Sequence, residues 1–173
     1  MSVCLADCNN DNTPEFSLCG LTLQGRVVAC YDADTCKIAL PLNDKFYKFT
    51  CRLSGIDTPE MKPRKDKPNR DTEIVWAKKA RAELLKLICE DNLSSNFDNL
   101  DIKKDEVINI LGKNKKIINV KCDTFDKYGR LLVELYNTDN NNYSNSNSFN
   151  NILIEKNLAV SYDGGTKKAP WIQ

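Results

Sequence analysis

Two stretches of the chain decide the fold: LTLQGRVVACYDADTCKIAL, residues 21–40, and FYKFTCRLSGI, residues 46–56. The first is rich in apolar and β-branched residues and is interrupted at 31–35 by an acidic turn, so it predicts two strands. In the second, apolar and polar residues alternate over 49–53, which predicts a strand with one buried face and one exposed face. Three strands therefore follow one another in the first third of the chain.

The rest of the chain alternates between helical, extended and polar segments. Ala77, Ala80, Leu84 and Ile88 form one apolar stripe at helical spacing, which predicts a helix over about 72–90. The other predicted segments are a basic loop, a polar stretch, two strands joined by a turn, an Asn- and Ser-rich loop and a short final helix: 61–69, 91–105, 116–125 with 130–137, 137–148 and 149–157.

Five short strands with a helix between the third and the fourth predict a small closed sheet. An OB-like barrel fits both the number of strands and the length of the chain. The predicted class is therefore α+β, mainly β, with a five-stranded OB-fold barrel and inserted and C-terminal helices. We expect a flexible arm over 1–20, one domain over 21–163 that contains the loop 137–148, and a basic tail over 164–173.

The composition excludes several classes of enzyme. The 173 residues include no histidine, so Ser-His-Asp catalysis, Cys-His catalysis and His-ligated metal sites are ruled out. Proton transfer in any active site would fall to carboxylates, Lys, Tyr or Cys. Because the formal net charge is only +1, binding of a polyanion would depend on a local cluster of basic residues.

The N-terminus and the eight cysteines indicate the compartment. The first residues lack a basic segment followed by an apolar one, and no apolar run approaches the roughly 18 residues of a membrane span, so we expect an intracellular protein without membrane contact. Cys51 and Cys122 alternate with apolar residues, which favours reduced, buried thiols over disulfides. The abundance of Asn, Lys and Ile is typical of an AT-rich genome, viral or otherwise.

Three short constellations can carry chemistry, and each has a plain structural alternative. Asp32 and Asp34 can converge on a hard cation, or can form an acidic turn that only satisfies its own backbone. The stretch RLSGIDTPE at 52–60 combines a phosphate-binding guanidinium with carboxylates, or ends a strand in a simple turn. The stretch DKYGR at 126–130 is a hairpin turn that can add a second guanidinium to the first.

Taken in order, the three constellations resemble the staphylococcal nuclease family. The ordered set is Asp32-x-Asp34-Thr35, then Arg52 with DTPE at 57–60, then DKYGR at 126–130, with a helix between the second and the third. The resemblance covers roughly 22–162. It implies an OB-fold barrel and Ca²⁺-dependent hydrolysis of phosphodiester bonds in DNA and RNA that leaves 3′-phosphate ends.

The resemblance also implies a calcium site. Asp34 and Asp57 would bind Ca²⁺ through their carboxylates, and Thr58 would bind it through its backbone carbonyl. Asp32 would act through metal-bound water. These are hard oxygen donors, the kind that Ca²⁺ prefers.

The catalytic and substrate-binding residues follow from the same resemblance. Glu60 is expected to be the general base that activates water, and Arg52 with Arg130 is expected to clamp the phosphate and stabilise the transition state. The residues expected to contact the rest of the substrate are Lys127, Tyr128, Tyr162 and, in the basic loop, Lys65 and Lys67.

Two other functions are weighed against the nuclease. The main alternative is a catalytically weak or inactive module that binds nucleic acid or protein, but the catalytic carboxylates and both arginines of the pattern are retained. A plain OB-fold single-strand binder would need aromatic stacking platforms on its strands, and aromatic residues make up only 8%.

The segment 91–115 and the loop 137–148 are longer than in compact family members. We expect a monomer whose partner is DNA or RNA.

Overall fold

The computed structural model describes residues 4–139, 143–165 and 171. Five strands form a closed barrel in the order β1-β2-β3-β6-β5, and the short strands β4 and β7 pair with each other. The strands are β1 (Thr22–Cys30), β2 (Thr35–Leu42), β3 (Lys45–Leu53), β4 (Ile56–Asp57), β5 (Ile118–Phe125), β6 (Leu131–Asn137) and β7 (Val160–Ser161). The helices are α1 (Arg70–Ile88), α2 (Asp91–Ser94), α3 (Lys104–Lys113) and α4 (Phe149–Glu155), with 3₁₀ turns at Leu5–Asp7, Ser95–Asp98 and Asn145–Asn147. The predicted α+β class and OB-fold barrel are confirmed.

One parallel pairing closes the barrel. Strands β1, β2, β5 and β6 pair with their other neighbours in antiparallel fashion, whereas β3 runs parallel to β6, with Cys51 opposite Leu131 and Arg52 opposite Leu132. This register joins two segments that are about eighty positions apart in the sequence. The end of β3 therefore lies beside the start of β6.

The barrel interior is filled by the apolar residues that alternate along each strand. In β2 the inward side chains of Ile38 and Leu40 are fully buried. Gly25 in β1 is buried against them, and a Cβ added there would lie 2.6 Å from Leu40 Cδ2 and 2.9 Å from Ile38 Cγ2. Because such approaches are far inside van der Waals contact, the barrel requires a residue without a side chain at this position.

The predicted helix over 72–90 is present as α1. Its apolar stripe is buried at Ala77, Ala80, Leu84 and Ile88, as the spacing predicts. The buried Arg81 on the same helix donates from Nη2 to the carbonyl of Ile102 at 2.9 Å. This bond ties the helix to the segment that follows it.

The stretch 91–105 was predicted only as a polar segment, without helices. It contains α2, a 3₁₀ turn and the beginning of α3. The helix α3 buries Val107 and Leu111, and Arg26 of β1 donates from Nη2 to the carbonyls of Leu111 and Gly112 at 3.0 and 2.8 Å. A cation at the C-terminal carbonyls stabilises a helix end, so β1 holds α3 in place.

The final helix is also where the sequence predicts it. α4 ends before Asn157, which adopts a left-handed conformation with φ of 56°, the geometry expected of Asn after a helix. Asn150 in α4 accepts from the amide of Leu135 at 3.2 Å and donates to the carbonyl of Ser54 at 2.9 Å. The side chain thereby anchors α4 to the barrel.

The cysteines are distributed as the alternation predicts. Five are buried and three are exposed, and none of the eight forms a disulfide. Cys51 and Cys122 belong to the buried group. No helix within the described ranges is both long enough and apolar enough to cross a bilayer.

The predicted division of the chain into arm, domain and tail stays a prediction. Most of the expected tail over 164–173 lies outside the described residues, as do positions 140–142 of the Asn- and Ser-rich loop.

Candidate active site

The acidic turn between β1 and β2 holds its own backbone and still presents a carboxylate. Asp32 Oδ1 accepts from the amides of Asp34 and Thr35 at 3.3 and 2.7 Å, a local bond that is typical of Asp in turns. Burial, reinforced by the negative charge of Asp34, raises the pKa of Asp32 to about 7. The turn alternative is therefore present in the structure, and the cation alternative stays a prediction; Asp34 makes its main contact with a residue outside the turn.

That contact is with Arg52 at the end of β3. Arg52 Nη1 lies 2.8 Å from Asp34 Oδ1, and Nη2 lies 3.1 Å from Asp57 Oδ1. Nη2 also donates to the carbonyl of Ile56 at 3.2 Å. Burial alone would lower the pKa of Arg52, but the charge of Asp34 and the hydrogen bond with Asp57 raise it. One guanidinium thus joins two carboxylates from separate turns.

Arg130 reaches the same region because of the parallel register between β3 and β6. It lies two residues before Leu132, the partner of Arg52, and alternate residues of a strand share a face. Arg130 is held by Asp126, whose Oδ2 lies 2.7 Å from both Nε and Nη2. Burial would raise the pKa of Asp126, but hydrogen bonds from the Arg130 backbone and side chain lower it.

A pocket of about 480 Å³ brings these groups together. The pocket is lined by both arginines, by Glu60 and by both carboxylates of the acidic turn. Arg52 and Arg130 meet there although they lie on β3 and just before β6, far apart in the sequence. The lining residues are Tyr31, Asp32, Asp34, Thr35, Arg52, Glu60, Lys127, Tyr128, Arg130 and Tyr162.

Glu60 is positioned by a buried glutamate that the sequence reasoning missed. The backbone amide of Glu60 donates to Oε1 of Glu73 at 3.3 Å. Glu73 lies on α1 and is only 1% exposed. The other oxygen of Glu73 lies 2.6 Å from Lys67 Nζ, as an ion pair without an aligned hydrogen bond. Glu73 therefore links the candidate base to the basic loop.

The two loop lysines expected to contact substrate differ in position. Lys67 is engaged by Glu73, whereas Lys65 is exposed and makes no ion pair among the described residues. Neither side chain lines the 480 Å³ pocket.

Aromatic rings cover the two guanidiniums. The Arg52 guanidinium carbon lies 5.9 Å from the centre of the Tyr162 ring, and that of Arg130 lies 5.4 Å from the Tyr128 ring. Lys127 Nζ lies 5.2 Å from the same Tyr128 ring. Tyr162 is placed there by the pairing of β4 with β7 and by its own amide, which donates to the carbonyl of Gly55 at 2.9 Å.

The donors expected for a metal are grouped, but they do not form a ready cluster. Asp34, Asp57, Thr58 and Asp32 are all buried. Two of the carboxylates, Asp34 and Asp57, pair with the Arg52 guanidinium, and the oxygens of all four residues are the kind of donor that a hard cation such as Ca²⁺ prefers. Within the described ranges, however, no three acidic or cysteine side chains meet in an arrangement that could hold an ion.

The comparison with protein families decides the kinship of this chain. The family model described as staphylococcal nuclease homologue matches residues 50–170, which is more than two thirds of the chain. The chain belongs to this family. A search among curated proteins gives no significant match.

The staphylococcal nuclease homologue match covers one side of the pocket but not the other. Arg52, Glu60, Arg130 and Tyr162 fall inside the matched residues, whereas the acidic turn before β2 lies outside them. The turn joins the site through the ion pair between Arg52 and Asp34.

Two residues of the site were not singled out from the sequence. Asp126 carried a signal, because it lies four residues before Arg130 in a short turn, a spacing at which a carboxylate and a guanidinium can meet. Glu73 carried none that could be separated from an ordinary first-turn glutamate, since its partners depend on the path of the loop at 61–69.

Proposed function

We propose that the protein is a Ca²⁺-dependent nuclease that hydrolyses phosphodiester bonds of DNA or RNA and leaves 3′-phosphate ends. The observation that carries this proposal is the meeting of two guanidiniums and the Glu60 carboxylate in one pocket. A phosphodiester needs cationic donors for its developing charge and a base for the attacking water, and this pocket offers both.

The two arginines bind the phosphate. Planar guanidiniums can each donate two parallel hydrogen bonds to phosphate oxygens, which fixes the phosphate in the pocket. Negative charge on those oxygens grows as water adds to phosphorus, so contacts with Arg52 and Arg130 strengthen in the transition state. Both side chains must exchange their present carboxylate partners for phosphate.

Glu60 acts as the general base. Its carboxylate takes a proton from the attacking water while the water oxygen bonds to phosphorus and the bond from phosphorus to the 5′-oxygen breaks. The leaving oxygen takes a proton from solvent, and the phosphate stays on the 3′-oxygen. Glu73 keeps Glu60 in position through the amide contact described above.

The carboxylates of Asp34 and Asp57 and the backbone carbonyl of Thr58 would hold Ca²⁺, with Asp32 acting through water. When bound, the ion neutralises phosphate charge and lowers the cost of deprotonating water. Because the donors are all oxygens, we expect Ca²⁺ to support activity and Zn²⁺ to support it poorly. Mg²⁺ is expected to give little turnover, since it requires a stricter octahedral geometry.

The remaining residues of the pocket bind the nucleotide on either side of the phosphate. Lys127 and Tyr128 lie at its rim, where a terminal phosphate can meet an ammonium and a hydroxyl. Tyr162 can pack against a base. Outside the pocket, Lys65 and the Glu73-paired Lys67 add positive charge from the basic loop.

A non-catalytic module that binds nucleic acid or protein is the second candidate, and one observation favours it. Both guanidiniums already have carboxylate partners, Arg52 with Asp34 and Asp57, and Arg130 with Asp126. A pocket balanced in this way could be a stable binding surface without turnover.

Incubation with substrate separates the two candidates. The purified protein is mixed with single- and double-stranded DNA and RNA, in Ca²⁺ or in excess chelator, and the ends of the products are mapped. We expect cleavage with 3′-phosphate ends in Ca²⁺ and none in chelator. Undiminished hydrolysis in chelator would exclude the metal, and binding without cleavage under all conditions would favour the binding module.

A further inference from the structure

A second cavity, which we call the lysine groove, lies next to the candidate active pocket. It also measures about 480 Å³ and runs over the outer face of β1, β2 and β3, with α3 along one side. Tyr31 and Thr35 line both cavities, so the groove and the pocket adjoin at these two residues. The floor of the groove is mainly apolar, with Val28 and Ala29 of β1 and Ile108 of α3.

Three lysines from three different elements line the groove, and no acidic residue does. They are Lys37 of β2, Lys48 of β3 and Lys104 of α3, and all three are exposed. None of them makes an ion pair or a side-chain hydrogen bond with another described residue, unlike Lys78 and Lys86, which both pair with aspartates. The groove therefore has positive charge without a partner inside the described chain.

Two lysines of the groove continue a line of outward-facing residues on β2 and β3 that begins at Thr35 and Arg52 in the active pocket. Thr35 lies opposite Arg52, Lys37 lies opposite Thr50, and Ala39 lies opposite Lys48 along the outer face of β2 and β3. Outward residues recur about every 6.6 Å along a strand, so Lys48 lies roughly 13 Å from Arg52. Successive phosphates of a stretched single strand can match this repeat.

We propose that the lysine groove binds the nucleotides of a single strand that flank the bond being cleaved. This inference rests on the proposed nuclease function and names the form of substrate that the site takes. The lysines bind flanking phosphates, and Tyr31, which is 46% exposed at the junction of the two cavities, stacks on a base.

The apolar floor is the reason for preferring a single strand. A base can lie against Val28, Ala29 or Ile108 only when its face is not covered by neighbouring stacked bases. In a duplex the bases are stacked inside and only the phosphates would reach the groove. Unpaired nucleotides can therefore contact both the apolar floor, through their bases, and the three lysines, through their phosphates.

Binding of oligonucleotides in chelator tests the inference without depending on cleavage. The double variant Lys48→Gln/Lys104→Gln is compared with Lys113→Gln/Lys115→Gln, which removes the same charge from exposed lysines outside the groove. Fluorescence anisotropy gives Kd for a dinucleotide, for a single strand of about ten nucleotides and for a duplex of the same sequence.

We expect the groove variant to bind the longer single strand roughly tenfold more weakly, with a salt slope lower by about 1.4 for two phosphate contacts. Binding of the dinucleotide and binding by the control variant should stay unchanged. Equal losses in the groove and control variants, or equal losses for single strand and duplex, would overturn the inference. Absence of cleavage in Ca²⁺ by the wild-type protein would instead count against the proposed function, since these affinities are measured separately.

Discussion

The candidate active pocket and the lysine groove have the same volume and share Tyr31 and Thr35, yet they treat charge in opposite ways. Every guanidinium of the pocket is held by carboxylates at distances between 2.7 and 3.1 Å. The lysines of the groove have no such partners among the described residues. Fixed charges are suited to a reaction that needs defined geometry. Unpaired charges on flexible stems are suited to holding a chain whose sequence and position vary.

The largest expected effect belongs to Glu60, and it separates the two regions most clearly. Glu60→Gln keeps the shape of the side chain and removes the base, so kcat should fall by about 10²–10⁴. The Kd for a single strand, which the proposed function assigns mainly to arginines and lysines, should change little. Single-turnover rates and anisotropy measure the two quantities. Glu106→Gln on the exposed face of α3 is the control, and nearly full activity in Glu60→Gln would remove Glu60 from the role of base.

The next effect concerns the geometry of the two arginines that are proposed to bind the phosphate. Arg130→Lys retains the charge but loses the planar donor, so kcat should fall by roughly 10²–10³ while Kd stays nearly constant. Arg64→Lys, at an exposed position of the basic loop, makes the same chemical change outside the pocket. If Arg130→Lys weakened binding with no separate loss of rate, the pocket would be a binding surface like the groove.

A smaller effect is expected where a loop lysine is fixed rather than unpaired. Lys67→Met leaves the buried Glu73 carboxylate without its cation, so the free energy of unfolding should fall by about 1–2 kcal/mol. Loss of that anchor should also lower kcat by loosening Glu60. Lys65→Met should leave stability unchanged and lower only the salt dependence of binding. Urea unfolding of both variants tests this, and identical stabilities would show that the Glu73 ion pair contributes nothing.

The smallest effect is the pH dependence of the bond that holds Arg130. The pKa of Asp126 is lowered in the folded protein, so its contribution is present above the unfolded value of about 3.9 and is lost as the pH falls through the folded value. The contribution should be below about 1 kcal/mol, as for a partly exposed ion pair. In the wild type, this pair should add to the fall in urea midpoint between pH 5 and pH 2. In Asp126→Asn that added fall should be absent. Parallel pH profiles for the two proteins would contradict it.

The barrel and the helix α1 could be predicted because their patterns are local. Alternation over 49–53 and the stripe of α1 each determine which side chains face inward, whatever lies across from them. The helix α3 was missed because its first turn is charged, although Val107 and Leu111 already had helical spacing. The strands β4 and β7 have two residues each, too few for any period to be visible.

The candidate site was predictable in its members but not in their connections. The resemblance names Arg52, Asp34 and Asp57, yet their joint ion pair depends on how β3 meets the two turns. The lysine groove had no sequence signal, because Lys37, Lys48 and Lys104 share a surface only after α3 has packed on β1. Pairings of this kind arise from tertiary structure and not from spacing along the chain.

Because five cysteines are buried and three are exposed, the reactivity of the thiols measures how often the fold opens. Burial raises the pKa of Cys51 to about 12 and the pKa values of Cys89 and Cys122 to about 11, and thiols react through the thiolate. A thiol-modifying reagent should therefore label the three exposed cysteines first, with Cys19 slowed because its hydrogen bond to Asp123 raises its pKa, and label the five buried ones only when the fold opens. Mass spectrometry would then detect two populations of molecules, with three and with eight labels. The rate at which the second population grows gives the rate of cooperative unfolding.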